Sequence, residues 1–268
     1  MTQRIGIAGL GTIGAEVASR LRDGVAGLVL VAVAGGRRRV AEDRLVALGI
    51  DVPVLSAEAL ATACDVVVEC APTAAFASIA GPTLDAGRTL LTVSGAALLQ
   101  NPDIVERARR RRGRIILATG ALLGLDAVRA AAEGTIHSVR MITRKPPTSL
   151  RTAKYVVENA IDLDGLAAPV RLFSGSARDG AMAFPSNVNV AAALGLAGIG
   201  ADRTELEIWA DPSKERNCHR IEVDSDSARF ALEIENIPTD ENPGTGRITA
   251  LSMIAALRAL TAPLRVGT

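Results

Sequence analysis

The chain of 268 residues has few aromatic side chains, one Trp, one Tyr and four Phe, so its interior must be filled by Ala, Val, Leu and Ile. Such a composition favours close packing of helices on a sheet over aromatic clusters. Cysteine is scarce as well. Cys64, Cys70 and Cys218 are odd in number and lack metal-ligand spacing, which argues against a disulfide framework or a metal site and fits a cytoplasmic protein with reduced thiols. Charge of one sign is missing too: a net charge of +1 gives no extended basic surface of the kind nucleic acid requires. Apolar runs such as 28–34 and 66–68 stop far short of the ~20 residues a bilayer crossing needs, and Met1 to Arg4 carry no apolar leader. Neither nucleic acid nor membrane is therefore an expected partner.

What is present is an alternation of apolar strands with helical segments. Strands are expected at 4–9, 28–34, 65–70, 89–93 and 114–118, with helices including 13–22 and 103–112 between them. Continuous apolar strands such as Val66-Val67-Val68 imply a parallel sheet covered on both faces. Beyond Gly120 the pattern changes: a helix at 125–133 and a strand at 138–143 precede three closely spaced strands at 205–210, 219–223 and 229–235. Close spacing with short turns implies an antiparallel or mixed sheet. The expected fold is α/β: a Rossmann-type doubly wound parallel sheet over 1–119, completed by the C-terminal segment 241–268 with its helix at 248–260. A second α+β domain with a mixed or antiparallel sheet, for catalysis and dimerisation, is expected over 120–240.

The first strand runs into Gly9-Leu10-Gly11-Thr12-Ile13-Gly14 and then a helix, the setting a dinucleotide fingerprint requires. Gly9 permits the tight turn, Gly11 admits a pyrophosphate close to the backbone, and Gly14 lets the helix approach the strand, while the free N–H groups at the helix start, around Thr12 and Ile13, face phosphate. At the end of the second strand an Asp or Glu favours the ribose hydroxyl of NAD. This chain instead carries Gly35-Gly36-Arg37-Arg38-Arg39, with no carboxylate before Glu42. Guanidinium suits bidentate phosphate binding, so Arg37 and Arg38 are expected to hold a 2′-phosphate, making the cofactor NADP at least as readily as NAD.

Histidine is rarer still, with only His137 and His219 present. His137 enters a strand from a turn and reads as structural. His219 follows Arg216-Asn217-Cys218 at a strand start, where an imidazole titrating near neutrality suits proton transfer. Ser186, Asn187 and Asn189 open an Ala-rich helix; Ser186 or Asn187 can cap it, and the two carboxamides could hold a nicotinamide amide or a substrate carboxylate. Thr143-Arg144-Lys145-Pro146-Pro147 places adjacent cations at a strand end, either an exposed turn or a carboxylate site. Cys70 and Cys218 raise the alternative of a thiol nucleophile, disfavoured because Cys218 and His219 would face opposite ways in a strand.

Gly120-Ala121-Leu122-Leu123-Gly124-Leu125-Asp126, the Thr143–Pro147 segment, Phe184-Pro185-Ser186-Asn187-Val188-Asn189-Val190-Ala191-Ala192, Arg216-Asn217-Cys218-His219 and the terminal Leu264-Arg265-Val266-Gly267-Thr268 together resemble the L-aspartate dehydrogenase family. The resemblance implies a homo-oligomer, dimer or tetramer, that oxidises L-aspartate through iminosuccinate to oxaloacetate and ammonia, or the reverse, feeding NAD biosynthesis. It implies that His219 is catalytic and that Ala121 and Asn189 touch the nicotinamide cofactor. Because aspartate carries two carboxylates, Arg144, Lys145, Arg216 and Asn187 are expected substrate contacts. Two alternatives stay open: a reductase or dehydrogenase of another imine or amino acid, and a sensor that binds dinucleotide without turnover.

Overall fold

The computed structural model describes residues 2–184, 188–242 and 244–267. The chain divides into two compact units, one running to Ala118 and taking in Thr249–Arg265, the other spanning Thr119–Ile248 with residues 266–267. In the first unit the strands are β1 (Gln3–Ala8), β2 (Leu28–Ala34), β3 (Val54–Leu55), β4 (Val66–Glu69), β5 (Thr89–Thr92) and β6 (Arg114–Leu117). They form one sheet in the order β3-β2-β1-β4-β5-β6, and every neighbouring pair is parallel. The order reverses between β1 and β4, so the crevice beyond their carboxyl ends is where such a sheet takes a ligand.

The aliphatic composition explains the packing. Ile5 and Ile7 of β1 and Val66 and Val68 of β4 are buried in one cluster, Ala8, Ala32, Ala34 and Val67 in another with Leu60 and Cys64. A Cβ added at Gly6 would stand 2.4 Å from the Cys64 sulfur and 2.7 Å from Leu60 Cδ1, so the helix Ala57–Ala63 lies directly on the strand. The helix Ile248–Ala259 brings Met253, Ile254 and Leu257 into the first cluster. Each such side chain contributes roughly 1.5–3 kcal/mol when fully buried. The returning segment is shorter than 241–268. Residues 241–248 stay with the second unit because the Arg247 amide donates to Ile237 O at 2.8 Å and the Thr239 amide to Thr245 O at 2.9 Å.

In the second unit β7 (Ile136–Lys145), β8 (Val170–Ser176), β9 (Thr204–Ala210), β10 (Asn217–Ser225) and β11 (Arg229–Asn236) form a mixed sheet in the order β11-β10-β7-β9-β8. Only β7 and β9 run parallel. Val139, Met141, Leu206, Ile208, Ile221 and Val223 are buried on one face. The opposite face is laced with ion pairs such as Arg140–Glu207 at 2.7 Å and Arg220–Glu222 at 2.9 Å. The exposed Arg220–Glu222 pair contributes little, and the apolar face sets how the sheet sits. Two strands give no clear pattern in the sequence: β3 is two residues long, and β8 is an edge strand reading Arg171, Ser174, Gly175, Ser176 between few apolar residues.

Close approach is tightest at Gly14, where an added Cβ would stand 1.9 Å from Gly9 O. Gly14→Ala must push the helix Thr12–Arg22 off β1, and overpacking of this kind costs ~1–3 kcal/mol. Thermal melting should therefore show a lowered Tm and fluorescence titration weaker dinucleotide binding, and an unchanged Tm would contradict the packing described.

Candidate active site

The glycine turn is built as a cradle. Gly9 has φ +96°, and a Cβ there would meet Cys70 O at 2.7 Å, so the loops after β1 and β4 touch where the strand order reverses. At Gly11, by contrast, a Cβ would meet nothing within 4 Å. The protein's own packing does not demand glycine there; the space is open beside the first turn of the helix Thr12–Arg22, where backbone N–H groups favour an anion. Thr12 opens that helix, and Ile13 packs against the core beneath it. The loop is braced from the side by the Arg44 guanidinium, which donates to Leu10 O. A dinucleotide pyrophosphate fits this arrangement.

Beyond β2, Arg37 precedes the helix Arg38–Ala47, whose first turn holds no acid. Arg37, Arg38 and Arg39 are all exposed, and Arg38 Nε donates to Glu42 at 2.8 Å. Cations at the positive end of a helix repel the dipole, a cost that a bound anion offsets. At the carboxyl ends of β4 and β5 the sequence reading missed Glu69, which is fully buried and accepts from the Ala71 amide at 2.8 Å and from Thr92 Oγ1 at 2.6 Å. Thr92 in turn accepts from the Ser94 amide at 2.9 Å. Burial holds the Glu69 carboxyl above its ordinary range despite those donors. The only signal for it was a carboxylate ending the Val66-Val67-Val68 run.

In the second unit, antiparallel pairing of β7 and β10 sets Thr143 opposite His219. Thr143 Oγ1 and His219 Nδ1 are 3.1 Å apart, and both side chains are buried. Lys145, two residues on from Thr143, shares that face and is 3% exposed. Burial pushes the Lys145 ammonium down to about 8. Burial first, and then the neighbouring Lys145 charge, pushes His219 down to about 3. The imidazole is therefore neutral across the working range rather than poised near neutrality as expected. Thr143 was not singled out in the sequence, because its partner lies 76 positions away.

Alternation separates Arg144 from this pair. It faces the other side of the sheet, where Nη1 donates to Asp211 at 3.1 Å and the guanidinium lies 4.8 Å from the Trp209 ring centre. Arg216 is exposed just before β10. Ala121 O accepts from Asn236 Nδ2 at 3.0 Å, and Asn189 opens the helix Asn189–Ala197. Asn187 lies outside the described residues. His137 is exposed on β7. Both candidate thiols are disfavoured further: burial raises Cys70 and Cys218 alike, and Cys218, opposite Arg144 in register, faces away from His219. A recess of about 470 Å³ in the second unit is lined among others by Pro146, Ser149, Arg151, Lys214 and Asn217, of which Pro146 follows Lys145 and Asn217 stands two residues before His219 in sequence. Among the described residues no group of His, Cys, Asp or Glu could hold a metal ion, and no helix is long and apolar enough to cross a membrane.

A Rossmann-type sheet with a glycine cradle, joined in one chain to a mixed sheet bearing a buried imidazole and amine, defines an NAD(P)-binding oxidoreductase. Residues 9–118 match the family described as homoserine dehydrogenase, NAD binding domain, and residues 126–260 match aspartate dehydrogenase, C-terminal. The chain is 53% identical over 267 residues to L-aspartate dehydrogenase of Bradyrhizobium diazoefficiens, covering 99% of this chain and 94% of that one. It is 51% identical over 265 residues to L-aspartate dehydrogenase 3 of Bordetella bronchiseptica, covering 98% and 97%. Its fold is similar to that of aspartate dehydrogenase from Thermotoga maritima, with a TM-score of 0.74, 22% identity and 100% of both chains covered. The chain belongs to the L-aspartate dehydrogenase family.

The low His219 value has a consequence for stability. Unfolded histidine protonates near ~6.5, whereas folded His219 does so only near about 3. Between those values the unfolded state binds the extra proton, so stability falls as pH is lowered through that window, by about 1.4 kcal/mol per pH unit at most for this group. Denaturant titrations at pH 7 and 5 should show the loss, and His219→Asn should remove this part of it. An imidazole that NMR finds protonating near pH 6.5 in the folded enzyme would contradict the burial described.

Proposed function

We propose that the chain catalyses NAD(P)-dependent oxidative deamination of L-aspartate through iminosuccinate to oxaloacetate and ammonia, or the reverse, with iminosuccinate available to NAD biosynthesis. The observation that carries this reading is the buried His219, fixed by Thr143 and beside Lys145, in a chain of this family. Residues Gly9, Gly11, Thr12, Ile13 and Gly14 hold the pyrophosphate, and Ala121 and Asn189 contact the nicotinamide end. The bound nicotinamide supplies a hydride acceptor for the substrate Cα.

His219 does the hydrolytic work as a neutral base. With Nδ1 engaged by Thr143, Nε2 is left to orient a water against the imine carbon and take its proton as the C–O bond forms. Of the adjacent cations, Lys145 rather than Arg144 shares the imidazole's face. Arg216 is a cation for a substrate carboxylate, and Arg151 and Lys214, both lining the recess, are further ones. Arg37 and Arg38 favour the 2′-phosphate of NADP. The same reading carries a homo-oligomer, dimer or tetramer, in the cytoplasm.

A panel of amino acids with each dinucleotide, followed by reduced-nicotinamide absorbance, tests the activity. Aspartate alone should give strong turnover, best at alkaline pH. Dinucleotide binding without turnover of any amino acid would favour the sensor, and preference for another amino acid would replace the substrate. Arg37→Ala and Arg38→Ala should each raise KM for NADP about tenfold while leaving that for NAD unchanged, the scale of one lost charge-assisted hydrogen bond of roughly 1.5 kcal/mol. An unaltered NADP/NAD ratio would remove the proposed preference.

A further inference from the structure

We infer that Lys145 is a catalytic base of this site, taking a proton from the substrate's α-ammonium before the Cα–H bond breaks; the inference rests on the proposed aspartate oxidation. Three observations lead to it. Lys145 stands on the same buried face as His219, at the carboxyl end of β7, while its neighbour Arg144 turns to the other face. The strand end is fixed, because the Asp211 amide donates to Lys145 O at 2.8 Å, which holds the amine's origin in place. The recess takes in Pro146, the residue after Lys145, and Asn217, two residues before His219, so it lies at the strand ends that carry the two groups.

The chemistry requires such a group. An amino acid binds with its nitrogen as ammonium, which has no lone pair to form a C=N bond. One N–H bond of the ammonium breaks as its proton joins the Lys145 Nζ lone pair, leaving a neutral amine and a lysine ammonium. The amine lone pair then becomes the C=N bond while the Cα–H electron pair leaves as hydride for the oxidised nicotinamide. Substrate carbon is oxidised, dinucleotide is reduced, and Lys145 returns its proton to solvent or departing ammonia. Arginine would bind a carboxylate as well but cannot lose a proton.

Among the described residues, His219 and Asp211 are titratable groups near Lys145. His219 of β10 is neutral and is itself depressed by the lysine. Asp211, just beyond β9, commits its carboxylate to Ser213 at 2.6 Å and to Arg144 at 3.1 Å. Burial lowers the amine to about 8, which leaves a substantial neutral fraction at mildly alkaline pH. His219, held lower than the amine, is the weaker base of the two.

The test is the pH dependence of kcat for the intact enzyme with aspartate, in wild type, Lys145→Arg and Lys145→Met, alongside thermal melts and dinucleotide binding by fluorescence. Wild-type kcat should rise with pH through a group near 8. Both variants should bind dinucleotide normally and lose kcat about 10²–10⁴-fold, the range for general-base catalysis. Small primary amines should restore part of the Lys145→Met rate. A Lys145→Arg enzyme with wild-type kcat, or a Lys145→Met enzyme that loses only KM, would assign the lysine to carboxylate binding and overturn the inference. If wild type leaves aspartate unoxidised, the functional reading fails and takes this assignment with it. Normal wild-type turnover with an intact arginine variant removes the assignment alone.

Discussion

The antiparallel pairing of β7 with β10 is the constraint that assembles the buried polar cluster of the second unit. It sets Thr143 opposite His219 and, through the two-residue alternation of a strand, brings Lys145 to the same face. An amine and an imidazole both removed from water shift in the same direction, each losing its charged form more readily. They do not exchange roles, however. The amine, with the higher ordinary value, comes down into the working range, while the imidazole passes below it and stays neutral. One sheet register therefore buries both groups side by side and lowers both, to different ranges.

The first unit is governed by small residues. A chain short of aromatic side chains brings helices onto its parallel sheet at glycine and alanine, and Gly6, Gly9 and Gly14 each stand where a single methyl group would collide with a neighbour. Gly11 differs from these three: an added Cβ there would meet nothing within 4 Å. The buried Glu69 beneath that region, bonded to Ala71 and Thr92, ties the ends of β4 and β5 together at the reversal of strand order.

Much of this was legible in the sequence, for physical reasons that can be named. Val66-Val67-Val68 signals a strand covered on both faces, and the strand–glycine–helix order signals the cradle. The mixed character of the second sheet follows from closely spaced strands with short turns. What could not be read was pairing at a distance and its effect on solvation. Arg144 and Lys145 look equivalent side by side, and only the strand phase decides that one meets Asp211 and Trp209 while the other is buried with His219. The imidazole's departure from neutrality depends on burial that no local spacing reveals. The short β3 and the polar edge strand β8 lack the apolar alternation that would mark them.

The most direct measurement follows the hydrogen itself. With L-aspartate deuterated at Cα, the account predicts that deuterium appears at C4 of the reduced nicotinamide, detected by NMR, in step with ammonia release. Reduced cofactor formed without that deuterium, or ammonia released with no cofactor reduction, would contradict it.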